Sequence, residues 1–165
     1  HTKEYVATMQ LGATTPSYDM EHEENETFPT EHITRELIET ALQQFIGNIE
    51  QIPPTYSAVK VNGQRAFDYR RNGEDVVLKP KKIRIDEIEI TRFDAEKMQL
   101  TLRVVCGKGT YIRALARDLG RAINSGAYLV ALRRTRVGDI KVEECINYDH
   151  FKEWLDEQNI EIVDK

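Results

Sequence analysis

Cysteine is scarce in this chain of 165 residues, and the two that occur, Cys106 and Cys145, lie far apart without a CxxC spacing. This argues against a disulfide framework or a zinc knuckle. The 4 histidines show no paired ligand spacing either, so we predict no metal. Long apolar runs are also lacking: none approaches the ~20 residues that span a bilayer, and the first residues do not resemble a signal peptide. We therefore expect a cytoplasmic protein without a membrane segment.

Basic residues are fewer than acidic ones, which gives a formal net charge of -5, but the basic residues are unevenly distributed along the chain. Residues 1–50 hold 2 Lys or Arg against 10 Asp or Glu, and residues 137–165 hold 3 against 9. Residues 60–84 hold 8 against 3, and residues 103–136 hold 8 against 1. If the two basic blocks converge on one face, they form a site for a polyanion; on composition alone, scattered solvated charge is the alternative.

The length and the hydrophobic content of 40% suit one compact domain. Alternation predicts a strand over Tyr5–Leu11, followed by a turn. Helical spacing of apolar residues over 33–45 predicts an amphipathic helix, with Thr34 or Thr30 as its N-cap and Gly47 placed to stop it.

The rest of the chain is predicted to be rich in strands. Several strands are joined by links too short for helical crossovers, which indicates an α/β domain of the α+β type with a mixed, mainly antiparallel sheet flanked by helices. The predicted elements are an extended segment at Tyr56–Val61, a turn at Asn62-Gly63, a short helix from Gln64 to Gly73, a strand with a register break at Ile83–Ile90, a strand at Leu100–Val104, a helix from Tyr111 to about Asn124, an apolar segment at Leu129–Val137, and a terminal helix at Tyr148–Gln158.

A glycine-containing loop, Gly107-Lys108-Gly109-Thr110, precedes the predicted second long helix. Such a loop could bind phosphate through its backbone N–H groups, although it lacks the spacing of a Walker A motif; a plain turn with a helix cap is the alternative. Tyr111 could stack on a base, or pack at a core edge. Arg113 could pair with a carboxylate or a phosphate, or face solvent.

Four motifs in chain order carry a family resemblance. They are Lys3-Glu4-Tyr5 with Leu11-Gly12-Ala13-Thr14-Thr15 and Asp19; Gln51-Ile52-Pro53-Pro54-Thr55-Tyr56-Ser57-Ala58-Val59-Lys60-Val61-Asn62-Gly63; Lys108-Gly109-Thr110-Tyr111-Ile112-Arg113 with Asp118-Leu119-Gly120; and Gly126-Ala127-Tyr128-Leu129 leading to Leu132-Arg133-Arg134-Thr135. Together they cover residues 3 to about 150, and the chain resembles the TruB family of tRNA pseudouridine-55 synthases. We interpret residues 1–165 as a partial catalytic domain with the pseudouridine synthase fold.

The resemblance implies an isomerase that converts a uridine in the T loop of tRNA to pseudouridine. In that family the base is flipped out, an aspartate is required, and no metal or organic cofactor is used. By resemblance, Tyr5 stacks on the flipped uracil and assists its chemistry, and Tyr111 packs beneath the same pocket. Arg113 corresponds to the arginine that pairs with the catalytic aspartate. Leu132 lines the uracil pocket, and Asp19 belongs to the substrate-binding set.

The implied partner is the T arm of tRNA, bound without a protein partner by a monomer. We expect four basic side chains to contact RNA: Lys60, Lys108, Arg133 and Arg134.

The departures from the family pattern are equally specific. The family's nucleophilic aspartate lies upstream of the K-x-Y motif in a G-x-L-D-P context, and nothing before Lys3 supplies it. We therefore expect Arg113 to lack its aspartate and the chain alone to be inactive, with neither Asp19 nor Asp118 as a substitute. The acidic segment Met20–Glu26 departs from the D-x-x-G continuation, and the family's C-terminal RNA-binding domain is expected to be missing.

Three hypotheses remain. The chain is a fragment of an active synthase, a non-catalytic module that keeps the T-arm surface, or an unrelated α/β domain, which the ordered motifs disfavour. The guide-RNA-dependent branch of the superfamily fits less well, because there is no basic extension and the Gln51-Ile52-Pro53-Pro54 wording suits the stand-alone bacterial type.

Overall fold

A computed structural model describes residues 2–54, 60–61, 64–65, 79–138 and 140–146, with side chains described outside 60–65 and 140–146. The elements in chain order are β1 (Lys3–Leu11), β2 (Ala13–Thr14), β3 (Glu26–Thr27), α1 (Arg35–Leu42) with a 3-10 turn (Gln43–Phe45), β4 (Gly47–Gln51), β5 (Lys60–Val61), β6 (Gln64–Arg65), β7 (Lys81–Asp94), β8 (Gln99–Cys106), α2 (Ile112–Ala122), β9 (Ala127–Val137) and β10 (Ile140–Ile146).

Six strands form one sheet in the order β10-β9-β1-β8-β7-β4, and each pair of neighbours is antiparallel. The central strand β1 pairs with β8 on one side and β9 on the other. This confirms the predicted α+β architecture with a mainly antiparallel sheet. The first strand of the chain is therefore held between two strands that come from the distant residues 99–106 and 127–137.

One face of this sheet, which we call the inner face, packs against the helices. Along β1 the buried residues alternate with half-buried ones, and Tyr5, Ala7 and Met9 all join the main core. Ile38 of α1 and Leu115 of α2 belong to the same core. The apolar residues that recur every second position in the strand and about every 3.6 positions in the helices thus pack together in one layer. Within the described ranges, no helix is long and apolar enough to cross a bilayer.

The opposite face of the sheet, the outer face, carries an ion-pair cluster around Arg103. Its guanidinium contacts Glu4 at 3.1 Å, Glu87 at 2.8 Å and Glu89 at 3.2 Å. The hydrogen bond that Arg103 donates to Glu87, together with the other two carboxylates, raises the pKa of Arg103. A hydrogen bond from the Thr135 hydroxyl, followed by Arg103, lowers the pKa of Glu4. These side chains are partly exposed, so each pair contributes modestly to stability while keeping the outer face polar.

The local predictions from periodicity are largely confirmed. β7 covers the predicted isoleucine strand, and its pairing with β8 shifts register between Ile85 and Glu87, where a break was expected. Thr34 is the N-cap of α1, and its side chain accepts a hydrogen bond from Leu37 N. The apolar segment predicted around Leu129 is a strand, β9.

The prediction of a short helix is wrong at its start. The short helix was expected from Gln64, but Gln64–Arg65 is a strand that pairs with Lys60–Val61. The two pairs flank Asn62-Gly63, and this dipeptide is a strong hairpin signal, which outweighs the helical spacing of the apolar residues beyond it. The remainder of that predicted helix and the terminal helix at Tyr148–Gln158 lie outside the described residues.

Gly120 explains part of the Asp118-Leu119-Gly120 motif. A Cβ at this position would lie 2.5 Å from Ala127 N and 2.7 Å from Gly126 C, both backbone atoms. The missing side chain therefore lets α2 pack directly against the start of β9, next to the hydrogen bond from Ser125 N to Gly120 O.

We predict that Gly120→Ala destabilises the fold by about 2–3 kcal/mol, because backbone cannot move aside as a side chain can. Gly107→Ala is the matched control: its Cβ would meet only the Arg84 guanidinium at 3.3 Å, which can swing away. Urea unfolding of the two variants measures the difference. Equal stability of both would contradict this view of the α2–β9 contact.

Candidate functional site

The segment Thr15–Asp19 is folded by its own side chains. Thr15 Oγ1 donates a hydrogen bond to Asp19 O at 2.6 Å and accepts one from Asp19 N at 3.1 Å. Tyr18 has a φ of 60°, and its N–H bonds to Thr15 O. The threonine thus closes a tight turn that fixes the backbone of Asp19. Thr15 and Ser17 were not among the predicted site residues, although Thr15 and Asp19 are part of the first motif.

The carboxylate of Asp19 is fully buried and asymmetrically bonded. Its Oδ1 accepts hydrogen bonds from Ser17 Oγ at 2.6 Å and from Glu21 N at 2.9 Å. Its Oδ2 lies 3.7 Å from the Nη1 of Arg113 and has no hydrogen-bond partner among the described residues. One oxygen therefore anchors the side chain, and the other faces the guanidinium with unused acceptor capacity.

Arg113 sits in the first turn of α2, where the helix begins beside this turn. Its side chain is 3% exposed, and Nη1 also donates to Ser17 O at 3.3 Å. Arg113 thus has a carboxylate neighbour in Asp19, and the expectation that the family's catalytic aspartate is absent from this chain stays a prediction. Asp118 was expected to project away from Arg113, and it pairs instead with Arg117 at 2.9 Å.

Tyr111 is held from the other side by Gln51. The Gln51 side chain accepts from Tyr111 N at 2.9 Å and donates to Tyr111 O at 3.2 Å. The Tyr111 hydroxyl is buried with no hydrogen-bond partner among the described residues, and burial raises the pKa of Tyr111 to about 12, with Arg113 opposing. The phenol therefore stays protonated near neutral pH and can donate a hydrogen bond to a group brought to it. Lys81 Nζ lies 5.8 Å from the ring centroid.

Tyr5 and Leu132 both belong to the inner face of the sheet. Tyr5 pairs with Arg134 across β1 and β9, and Ala7 pairs with Leu132. The five residues predicted for catalysis and substrate binding are each at most 3% exposed: Tyr5, Asp19, Tyr111, Arg113 and Leu132. The structure therefore puts these residues in its interior, and a base could reach them only after the atoms covering them move.

Two of the four predicted RNA contacts, Arg133 and Arg134, lie on opposite faces of the sheet. Arg133 pairs with Val6 and is exposed, whereas Arg134 pairs with Tyr5 and is half-buried. Because successive residues of a strand point to opposite faces, Arg134 is on the inner face and Arg133 on the outer face. Lys108 is exposed, and the side chain of Lys60 lies outside the described residues.

The two basic blocks of the sequence do meet at one place. Lys82 and Arg84 from the first block and Lys108 from the second line an open cavity of about 680 Å³ beside β4. Glu50 lines it too, so the charge is not purely positive. Among the described residues, Lys108 is the one basic residue of the second block that lines this cavity, so convergence of the two blocks into a polyanion site stays a prediction.

In the loop Gly107–Thr110, the Thr110 hydroxyl forms a hydrogen bond within the loop itself. Thr110 Oγ1 donates to Gly107 O at 3.0 Å, and Gly109 has a φ of +87° that favours glycine. These features fit the alternative of a turn leading into a helix. The buried Cys106 before it has its pKa raised to about 12 by desolvation, so it remains a thiol.

Three side chains offer a possible cation cluster. Ligand atoms of Asp19, Glu21 and His22 lie within 4.8 Å of one another, and no ion is present. The guanidinium of Arg113 already faces Asp19 and opposes a second cation there. The predicted absence of a metal stays a prediction.

The family models match the whole described chain in two parts. Residues 1–112 match the TruB family pseudouridylate synthase N-terminal domain, and residues 113–163 match the tRNA pseudouridylate synthase B C-terminal domain. The chain belongs to the TruB family. This confirms the resemblance carried by the four motifs. That a C-terminal RNA-binding domain is missing stays a prediction.

Relatives in the TruB family are similar over nearly the whole chain. A protein of Phocaeicola vulgatus named tRNA pseudouridine synthase B is 63% identical over 99% of this chain and 68% of its own length. A protein of the same name from Bacteroides fragilis is 60% identical over 99% of this chain and 70% of its own length. The chain thus spans about two thirds of these relatives.

Solved structures support the TruB fold. The chain resembles one described as a Cbf5-Nop10-Gar1 complex, with a TM-score of 0.58, 27% identity, and coverage of 94% of this chain and 38% of that one. The boundary between the two TruB family models, at residues 112 and 113, falls inside one packed unit here. α2 and β9 follow it, yet they share the sheet and the core of β1.

We predict that breaking the buried pair is costly. Asp19→Asn and Arg113→Met should each destabilise the fold by about 3 kcal/mol, because each strands a buried partner, and the double variant should lose much less than their sum. Asp118→Asn is the control for a half-exposed pair and should cost less than ~1 kcal/mol. Urea unfolding gives the four free energies. Additive losses would mean that Asp19 and Arg113 do not interact.

Proposed function

We propose that the chain forms most of the catalytic domain of a tRNA pseudouridine synthase. Its substrate is a uridine in the T loop, which is flipped from the RNA and isomerised without metal or organic cofactor. The relatives named tRNA pseudouridine synthase B support this proposal, as does the Arg113–Asp19 arrangement at the end of the buried motif.

The observation that carries the proposal is the buried guanidinium of Arg113, which lies 3.7 Å from a carboxylate oxygen of Asp19 that has no hydrogen-bond partner among the described residues. Arg113 is placed to orient a carboxylate and hold it ionised, since desolvation otherwise favours its neutral form. Asp19 Oδ2 can accept, and the Tyr111 hydroxyl can donate, a hydrogen bond to a group that enters the site. This combination suits a dry pocket for an ionised nucleophile and a uracil.

Each predicted residue has a role in this scheme. Tyr5 supplies the aromatic face for the uracil and Leu132 the apolar wall. Tyr111 lies beneath, and Arg113 acts on the nucleophile. Because Asp19 is anchored through Oδ1 and already paired, its role is to hold Arg113, and the nucleophile is a different aspartate. Because these side chains are buried, part of the protein that covers them has to move before a flipped base can enter the site.

The RNA is expected to approach the inner-face side, where these residues lie. Lys108, from the loop before α2, is proposed to contact a phosphate, whereas Lys82 and Arg84 alternate with the buried Ile83 and Ile85 and therefore lie on the outer face. Arg134 shares the inner face with Tyr5, whereas Arg133 points away from it. A monomer that binds the T arm without a protein partner is part of the proposal, as is a cytoplasmic location.

The function is tested by tritium release from carbon-5-labelled uridine in a T-arm hairpin. We expect turnover from the chain when it is joined to the residues of the P. vulgatus relative that it does not span. Tyr5→Leu should lower hairpin affinity by ~10- to 100-fold, the equivalent of one lost base stack, and should abolish turnover. Tyr5→Phe is the control that keeps the ring and should bind like the parent.

Two outcomes decide against parts of this proposal. Hairpin binding without turnover by the joined protein would favour the alternative, a non-catalytic module that binds the T arm. Multiple turnovers by the 165-residue chain alone would contradict the assignment of a separate nucleophile, and Asp19 would then be the first residue to mutate.

We predict that two neighbouring arginines contribute unequally to RNA binding. Arg134→Ala should weaken the hairpin complex and reduce the slope of log affinity against log salt by about 1, as expected for one lost phosphate contact. Arg133→Ala, on the outer face, should leave both quantities unchanged. Filter binding at several salt concentrations measures them, and a larger effect of Arg133 would contradict the proposed RNA face.

A further inference from the structure

The segment that anchors Asp19 continues to the protein surface through two further side chains. Ser17 Oγ lies 2.6 Å from Asp19 Oδ1 and 3.0 Å from Nδ1 of His22. Ser17 is completely buried, whereas His22 is exposed. An exposed imidazole is therefore joined to the interior carboxylate through a single hydroxyl.

The direction of each hydrogen bond follows from proton counting. A carboxylate only accepts, so the one proton of the Ser17 hydroxyl is donated to Asp19. Ser17 Oγ can then only accept from His22, which requires a proton on Nδ1 of His22. The chain runs from His22 N–H to the Ser17 oxygen, and from the Ser17 O–H to Asp19.

This direction matters for the free oxygen of Asp19. With donors from Ser17 and from the Glu21 backbone, Oδ1 is occupied and the carboxylate cannot rotate without losing both bonds. Oδ2 is thereby turned toward Arg113. If Nδ1 of His22 carried no proton, it would compete as an acceptor for the Ser17 proton, and Oδ1 would lose its shortest bond.

We propose that Ser17 and His22 are positioning residues: His22 orients the Ser17 hydroxyl, which locks Asp19 so that its second oxygen faces Arg113. Neither residue touches the uracil in this scheme. The hydrogen-bond chain itself is independent of the proposed function, whereas its effect on turnover rests on that function.

The surroundings of His22 are strongly acidic. Asp19 and Glu21 lie close to its ring, and Arg113 balances them from α2. Glu24 of the same loop is engaged by the hydroxyl of Tyr128 from β9 at 2.7 Å. Neutral imidazole with its proton on Nδ1 and the imidazolium both donate to Ser17, so the positioning does not require a charge on His22.

The first test is nitrogen-15 NMR of the histidine rings in the 165-residue chain. In the neutral imidazole of His22, we expect a protonated Nδ1 and an Nε2 without a proton. Ser17→Ala should remove this preference, and Ser17→Thr, which keeps the hydroxyl, should retain it. A bare Nδ1 in the parent chain, or a His22 spectrum that changes when divalent cations are removed by chelator, would overturn the proposal.

The second test measures turnover in the joined protein described above. Ser17→Ala should lower the single-turnover rate by ~10- to 100-fold, the effect of one hydrogen bond to a charged group, while hairpin Kd changes less than ~3-fold. Ser17→Thr should restore the rate. Loss of hairpin binding in parallel with the rate would indicate a merely structural role.

His22 offers a matched pair of substitutions. The amide nitrogen of asparagine can occupy the position of Nδ1 and donate to Ser17, whereas that of glutamine reaches toward the position of Nε2. We expect His22→Asn to keep the rate and His22→Gln to lower it, with Glu23→Ala as a neutral control in the same loop. Equal rates for the Asn and Gln variants would overturn the role of His22.

The NMR test and the turnover test together distinguish a failure of the hydrogen-bond chain from a failure of the proposed function. An inactive joined protein with the expected His22 tautomer would count against the proposed function and leave the hydrogen-bond chain standing. An active protein with the opposite tautomer would do the reverse.

Discussion

The buried contact between Arg113 and Asp19 is the constraint on which the rest of the site depends. A guanidinium that is 3% exposed cannot lose its proton, so it must be compensated by a carboxylate and by carbonyl oxygens. Meeting that demand joins two parts of the chain: the turn after β1 and the first turn of α2. The packing of α2 on β9 through Gly120 then fixes the helix relative to the sheet.

Elements with a clear local period could be predicted from the sequence alone. β1, β8 and the Thr34 cap each follow from patterns within a dozen residues. The Arg113–Ser17 contact spans 96 positions, and no local pattern encodes which carboxylate meets a buried arginine. The motif resemblance identified both partners separately, yet it directed attention to an aspartate outside the chain and away from Asp19.

The placement of Arg133 and Arg134 on opposite faces has a simpler physical cause, and their contacts with RNA stay a prediction. The segment was predicted as apolar rather than as a strand, so its two arginines were grouped by charge. Once the segment is a strand, alternation alone separates them to opposite faces. The pairing of Lys60–Val61 with Gln64–Arg65 has a similar cause, since the Asn-Gly dipeptide in the sequence between them is a stronger signal than the spacing of later apolar residues.

Two polar atoms of the site are buried without hydrogen-bond partners among the described residues: Asp19 Oδ2, which lies 3.7 Å from Arg113, and the Tyr111 hydroxyl. Leaving such a group unsatisfied costs roughly 1–3 kcal/mol, and stability alone would favour apolar side chains in both places. Sites of this kind are where proteins depart from local rules for function. The same segment donates two hydrogen bonds to Asp19 Oδ1 and none to Oδ2, so only one of the two carboxylate oxygens can still accept a hydrogen bond from an entering group. That oxygen faces the buried guanidinium of Arg113.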